Sequence, residues 1–209
     1  MNEDFRPQDL GLIDYREAYD LQKKCVQDVL ADGEQRLFLC EHPAILTLGR
    51  MADEAHILVP KSQLKKKGVQ ILSIDRGGDI TLHAPGQLVI YPIFNLNYYE
   101  KNLHLFIQKL ENVAIDLLKE FDIVADRFLG QTGVWVGEKK IVSIGIGVRR
   151  WITFHGLAIN VNTDLNLFSL IKPCGLDVIM TSMADIKKYK IDMQEVKDKV
   201  VVLFKKYFY

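Results

Sequence analysis

The order of apolar runs and turns predicts an α+β fold with a mixed, largely antiparallel β-sheet flanked by helices. Three observations carry that prediction. Strand-like runs are separated by turns more often than by helices, the long helices number three, and the regular alternation of a doubly wound fold is missing. The densest chemistry lies between Arg76 and Leu96. Arg76, Gly77, Gly78, Asp79, Ile80, Thr81, Leu82 and His83 lead through Pro85-Gly86 into the apolar run Leu88–Leu96. Paired glycines permit positive φ or close approach to a ligand, and the run after the turn has the composition of a buried strand. Such a corner makes a wall for a ligand site, although two ordinary hairpin turns fit the same spacing.

The remaining elements follow in order. A short first strand is expected at Gly11–Asp14. A helix spans Tyr15–Leu30, with Ala18, Leu21, Cys25 and Val29 at helical spacing, and Asp32-Gly33 stops it. Arg36–Cys40 and Ala44–Leu48 read as apolar strands around Glu41-His42-Pro43. His42 precedes a proline, which favours an extended or turn conformation; it reads as a surface or structural histidine, with a place in a site as the alternative. Lys65-Lys66-Lys67-Gly68 is a solvated charge run, and Val69–Ile74 is a strand that delivers Arg76.

Leu103, Phe106, Ile107, Leu110, Val113, Leu117 and Phe121 form the core-facing stripe of a second helix. Strands resume at Val134–Val136. After Gly137-Glu138, the stretch Lys139–Val148 alternates Val142, Ile144, Ile146 and Val148 on one face with Ser143, Gly145 and Gly147 on the other. That row of small residues leaves room beside the sheet for a ligand chain or another element. Phe154–Val161 is a further strand, and Asp164 caps a short helical turn ending near Ile171. Asp192 and Glu195 form a capping-box pair that opens the last helix, with Met193, Val196, Val200, Leu203 and Tyr207 facing inward.

Composition bounds the function classes. At 209 residues the chain is most simply one domain, 1–209, that buries roughly 70% of its unfolded surface. Lys plus Arg and Asp plus Glu are 27 each, and zero net charge argues against a general nucleic-acid binder. Three cysteines without metal spacing fit a reducing, cytoplasmic setting. The acidic N-terminus lacks a signal core, and no apolar run approaches membrane-spanning length. Neither nucleic acid nor membrane is an expected partner. The five histidines are scattered, and no Walker loop, GxGxxG or G-x-S-x-G elbow is present. No metal or cofactor is therefore expected.

Cys174 differs from Cys25 and Cys40, which read as core residues, because it lies outside any periodic apolar face. Pro173 stiffens the approach to it and Gly175 frees the next peptide, a setting that suits a partly exposed nucleophilic thiol. Such a thiol needs a cation or base, for which Lys139, Lys140, His83 and His155 are the candidates. An incidental loop cysteine is the competing reading.

Read together, Arg76 to His83, Ala84-Pro85-Gly86-Gln87, Lys140 to Gly145, His155 to Asn160 and Pro173-Cys174-Gly175 resemble the lipoyl(octanoyl) transferase family. The resemblance runs from Glu41-His42-Pro43 to Thr181-Ser182. It implies the catalytic-domain fold of biotin and lipoate protein ligases. It also implies octanoyl transfer from octanoyl-acyl carrier protein to a lysine on apo-lipoyl domains of 2-oxoacid dehydrogenases or the glycine-cleavage H protein. The resemblance points to Cys174 as the acyl carrier and to Lys140 as its partner; strand alternation alone favours Lys139 on the glycine-lined face. The acyl-binding segments it implies are Arg76 to His83, then Ser143, Ile144 and Gly145, then Gly156, Leu157 and Ala158. Where the family usually reads Tyr-His-Gly-Pro-Gly-Gln, Leu82 and Ala84 stand in for the tyrosine and first glycine, so altered pocket detail is expected. An ATP-dependent lipoate or biotin ligase, a lipoyl-domain octanoyl amidotransferase and a non-catalytic binding module remain as alternatives, separated by nucleotide binding, carrier dependence and thiol reactivity.

Overall fold

The computed structural model describes residues 4–172 and 178–209. Strands β1 (Phe5–Leu12), β2 (Gln35–Glu41), β6 (Gln87–Ile93), β10 (Ile152–Asn160), β9 (Lys139–Arg149), β8 (Gln131–Val136) and β7 (Asp126–Phe128) lie side by side in that order. The short β11 (Ile179–Met180) joins beside β9. β1 runs parallel to β2 and β11 parallel to β9; the other pairs are antiparallel. A second sheet holds β4 (Gln70–Ser73), β3 (Ile45–Leu48) and β5 (Ile80–His83). The mixed, largely antiparallel α+β architecture expected from the sequence is the one observed.

Helices cover the large sheet from both sides. The first, α1 (Tyr15–Leu30), packs on β2, β6 and β10 through Ala18, Cys25, Val26 and Val29. On the opposite face, α3 (Leu103–Lys119) and α5 (Met193–Phe208) pack together over the main core. Short helices α2 (Lys61–Lys66) and α4 (Met183–Lys187) complete the described set. Asp14, Asn102, Ser182 and Asp192 cap helix starts by accepting backbone N–H bonds. No helix among the described residues is long and apolar enough to cross a membrane.

Four details differ from the sequence expectations. The first strand begins at Phe5, well before Gly11, because it is an edge strand whose polar residues face solvent while the backbone pairs with β2. Leu21 is 39% exposed and Gln22 takes the inner position, where its side chain accepts the His155 N–H at 2.8 Å. Asp192 caps the Gln194 N–H and Glu195 pairs with Lys199, so the capping box does not close. Tyr207 is only partly buried, its hydroxyl donating to Asp116, while Phe204 and Phe208 fill the core.

Phe94 is the centre of that core, with its ring against those of Phe5, Tyr99, Phe106, Phe204 and Phe208. It therefore ties β1, the turn after β6, α3 and α5 to one another. Phe94→Ala is expected to lower stability by about 3–5 kcal/mol, read as a drop in urea midpoint without a change in slope.

Candidate active site

A cavity of about 480 Å³ opens between the small sheet and the large one. Its floor follows from strand register. Ser143 pairs with Ala158 and Ala158 with Val89, giving one lateral row; Gly145 pairs with Gly156 in the next. These small residues keep the floor low and apolar, as their alternation on β9 suggested. The room over the row is not empty throughout: the Phe154 ring lies where a Cβ on Gly147 would go, and Arg76 and Gly77 lie over Gly145.

The loop 76–79 forms one wall. Gly77 N–H donates to Ile146 O at 3.1 Å, which fastens the loop to β9. Arg76 is buried, donating to Thr47 O at 2.7 Å and to Gly77 O at 3.1 Å. Gly78 has φ +88, a conformation that favours glycine, and a Cβ on Gly49 would stand 2.2 Å from Gly78 O. Asp79 accepts the Asp53 N–H at 3.1 Å and pairs with His56.

Lys140 reaches the cavity although simple alternation places it opposite Ser143 and Gly145. The ladder between β8 and β9 explains why. Val134 pairs with Val142 but Trp135 pairs with Lys140, so β9 carries one extra residue at Ile141. Ile141 and Val142 both enter the main core, and the phase of the strand flips before Lys140. The Lys140 amine donates to Thr132 O at 3.0 Å and lies 4.8 Å from the Trp135 ring centroid. Gly133, with φ +130, leaves space for it; a Cβ there would stand 2.8 Å from Lys140 Cε. Lys139 is exposed. Cys174, with Pro173 and Gly175, lies outside the described residues. The strand that follows, β11, pairs Ile179 with Lys139 and Met180 with Lys140, and Thr181 N–H donates to Lys140 O at 2.9 Å.

Buried aromatic and imidazole rings make the other wall. His83 stacks on Tyr15 and meets the edge of His42. His83 bonds to Gln87 Oε1 through Nδ1 at 2.8 Å; Gln87 Nε2 donates to Asn160 Oδ1 at 2.9 Å, and Asn160 Nδ2 to Thr181 O at 3.0 Å. His42 is structural: its ring nitrogens bond Ile13 O and the Tyr91 hydroxyl, each at 2.8 Å. Burial pulls His83 down to about 3, with the neighbouring His42 acting in the same direction. Burial also lowers His42 and His155. Beside His155, Asp75 is depressed to about 2, first by the His155 hydrogen bond and also by the Tyr19 hydroxyl.

Of the residues singled out from sequence, Arg76, Gly77, Gly78, Asp79, Thr81, His83, Lys140, Ser143, Ile144, Gly145, Gly156, Leu157 and Ala158 line the cavity. Ile80 and Leu82 do not. They are fully buried in the small-sheet cluster with Leu46, Leu48 and Leu64, because β5 turns alternate side chains away from the cavity. The Leu82 departure thus falls in a core and not on the pocket surface. Tyr15, Met51, Val89, Tyr91, Leu103, Ile107 and Thr132 line the cavity as well. Met51 lies in the turn after β3 and Thr132 is an exposed residue of β8, and neither shows a pattern in the sequence; the others sit in helices or strands that read as core, Tyr91 as a hydroxyl within an apolar run.

Two sheets thus enclose a largely apolar cavity whose lining includes imidazole side chains and Lys140. The lipoyl protein ligase A/B catalytic domain model matches residues 14–205, and the chain belongs to that family. It is 46% identical over 202 residues to an octanoyltransferase of Thermoanaerobacter sp. (strain X514), covering 95% of this chain and 88% of that one. An octanoyltransferase of Desulforamulus reducens is 43% identical over 205 residues, covering 95% and 89%. Among solved structures, the T. acidophilum protein Ta0514 with bound lipoic acid superposes with TM-score 0.74 at 16% identity, covering 97% of this chain and 85% of that one. The biotin protein ligase of Aquifex aeolicus gives 0.56 at 15%, covering 97% and 68%. These two likenesses concern the fold.

The Asp75 carboxylate contributes stability that is present above the ordinary carboxylate range and is lost as pH falls through about 2. Its side chain is 44% exposed, so solvent screening holds the contribution to about 1 kcal/mol. Asp75→Asn should be less stable than the parent protein at pH 7. The gap should close between pH 4 and 2, as followed by urea unfolding at each pH.

Proposed function

We propose that the chain is an octanoyltransferase that moves an octanoyl group from acyl carrier protein to the ε-amine of a lysine on a lipoyl domain. The observation that carries the reading is the buried amine of Lys140 at one end of an apolar cavity, in a chain 46% identical to an octanoyltransferase. The tail lies over Ser143, Ala158 and Val89 toward Gly145 and Gly156. Burying its seven carbons beyond the carbonyl stabilises the complex by about 5 kcal/mol, before the cost of association. Free octanoate lacks a leaving group; the thioester brings its own, and the transfer needs no ATP.

Cys174 is the nucleophile in this reading. Lys140 takes the Cys174 proton; the thiolate attacks the thioester carbonyl, the carrier C–S bond breaks, and the carrier sulfur leaves as the thiol with that proton, so Lys140 is neutral again. The target amine then attacks the Cys174 thioester. A C–N bond forms, the C–S bond breaks, and the amine proton passes to Lys140. Both half-reactions run in one domain through one covalent intermediate, so the kinetics are ping-pong. The parallel pairing of β11 with β9 supports the reading, because it brings Met180, six residues beyond Cys174, alongside Lys140.

The test is intact-protein mass after mixing with octanoyl-acyl carrier protein in the absence of ATP. The parent protein should gain one octanoyl group, released when apo-lipoyl domain is added, and Cys174→Ser should accumulate no stable adduct. Lys140→Met should slow adduct formation by about a hundredfold or more. Activity that appears only with ATP and free octanoate would overturn the proposal in favour of a ligase.

A further inference from the structure

His83 is more than cavity wall. Gln87 Nε2 donates to both Asn160 Oδ1 and Leu82 O, which fixes the orientation of its amide and leaves Oε1 to accept. The proton of the neutral His83 ring therefore sits on Nδ1, bonded to Gln87. Its Nε2 keeps a lone pair, has no partner among the described residues, and belongs to a ring that lines the cavity. Burial holds the ring neutral at physiological pH. It can accept a hydrogen bond there but cannot keep a proton.

Its position along the cavity follows from register. Gln87 pairs with Asn160 at the end of the β6–β10 ladder, one step beyond Leu88–Ile159, and Ile159 pairs with Val142. Past that point β11 takes the place of β10 beside Lys140, and Asn160 bonds Thr181 O just beyond β11. His83, Gln87, Asn160 and Thr181 thus form a continuous hydrogen-bonded line across the end of the cavity that holds Lys140.

We propose that His83 Nε2 accepts a hydrogen bond from the attacking lysine amine and so acts in the second half-reaction, amide formation. The inference rests on the octanoyltransferase reading. Attack by a neutral amine on the thioester places positive charge on nitrogen while its N–H bonds are intact. A fixed lone pair stabilises that developing charge more than it stabilises the bound amine. The proton itself leaves to Lys140, as before. The first half-reaction involves a thiolate nucleophile with no hydrogen to offer, so the same lone pair contributes little there. Gln87 and Asn160 act through His83 and are positioning residues.

The two half-reactions are measured separately on the full chain: octanoyl adduct formation from octanoyl-acyl carrier protein, then its loss to apo-lipoyl domain in single turnover. His83→Leu should form adduct within about threefold of the parent rate and lose it about tenfold or more slowly. His83→Gln, which presents an acceptor oxygen, should recover part of the second rate. In the parent protein, ¹⁵N shifts of His83 should report Nδ1–H with a bare Nε2 from pH 5 to 9. Equal slowing of both steps in His83→Leu, an unchanged second step, or an Nε2–H tautomer would each overturn the inference. Absence of any adduct on the parent protein would instead overturn the octanoyltransferase reading itself.

Discussion

The extra residue in β9 is the constraint on which the site depends. Without it Lys140 would share a face with Ile144 and point into the α3–α5 core, where an ammonium has no counter-charge and desolvation would be severe. With it, two consecutive apolar side chains, Ile141 and Val142, enter that core, and the amine turns toward Thr132 O and the Trp135 ring. Gly133 belongs to the same device. Its φ of +130 and bare Cα let β8 pass beneath the lysine stem. A bulge on one strand and a glycine on its neighbour together choose between two adjacent lysines.

A second constraint joins the sheets. The small sheet can close on the large one only where side chains are absent, and Gly145 beneath Arg76 and Gly77 is that point. Gly156 answers a different need: a Cβ there would stand 1.9 Å from Ile90 O, inside the β6–β10 ladder region. The cavity is therefore a by-product of close backbone approach around its edges. Its apolar floor is then set by the residues next along the strands, Ser143, Ala158 and Val89.

Much of this was legible in the sequence because it rests on composition and period. The three long helices, the core strand after Pro85-Gly86 and the small-residue row of β9 all declare themselves through spacing. The edge strand β1 did not, since backbone pairing holds it and its outward residues are polar. Nor did the β9 bulge, because a register shift leaves no mark in the pattern of one strand; it exists only relative to β8. The resemblance to a family supplied Lys140 where alternation supplied Lys139. The same carry-over also swept in Ile80 and Leu82, which a strand period of two would have set aside.

The charge state of the cavity follows from burial. His42, His83 and His155 are all lowered, so at neutral pH the imidazoles supply dipoles and lone pairs. Arg76 carries a permanent positive charge. The guanidinium is already bound to Thr47 and Gly77 O, which makes it part of the frame joining the two sheets. The Lys140 amine donates to Thr132 O, which orients the lysine. An uncharged acyl tail meets no penalty on the floor. The floor residues Ser143, Ala158 and Val89 bring no charge into the cavity.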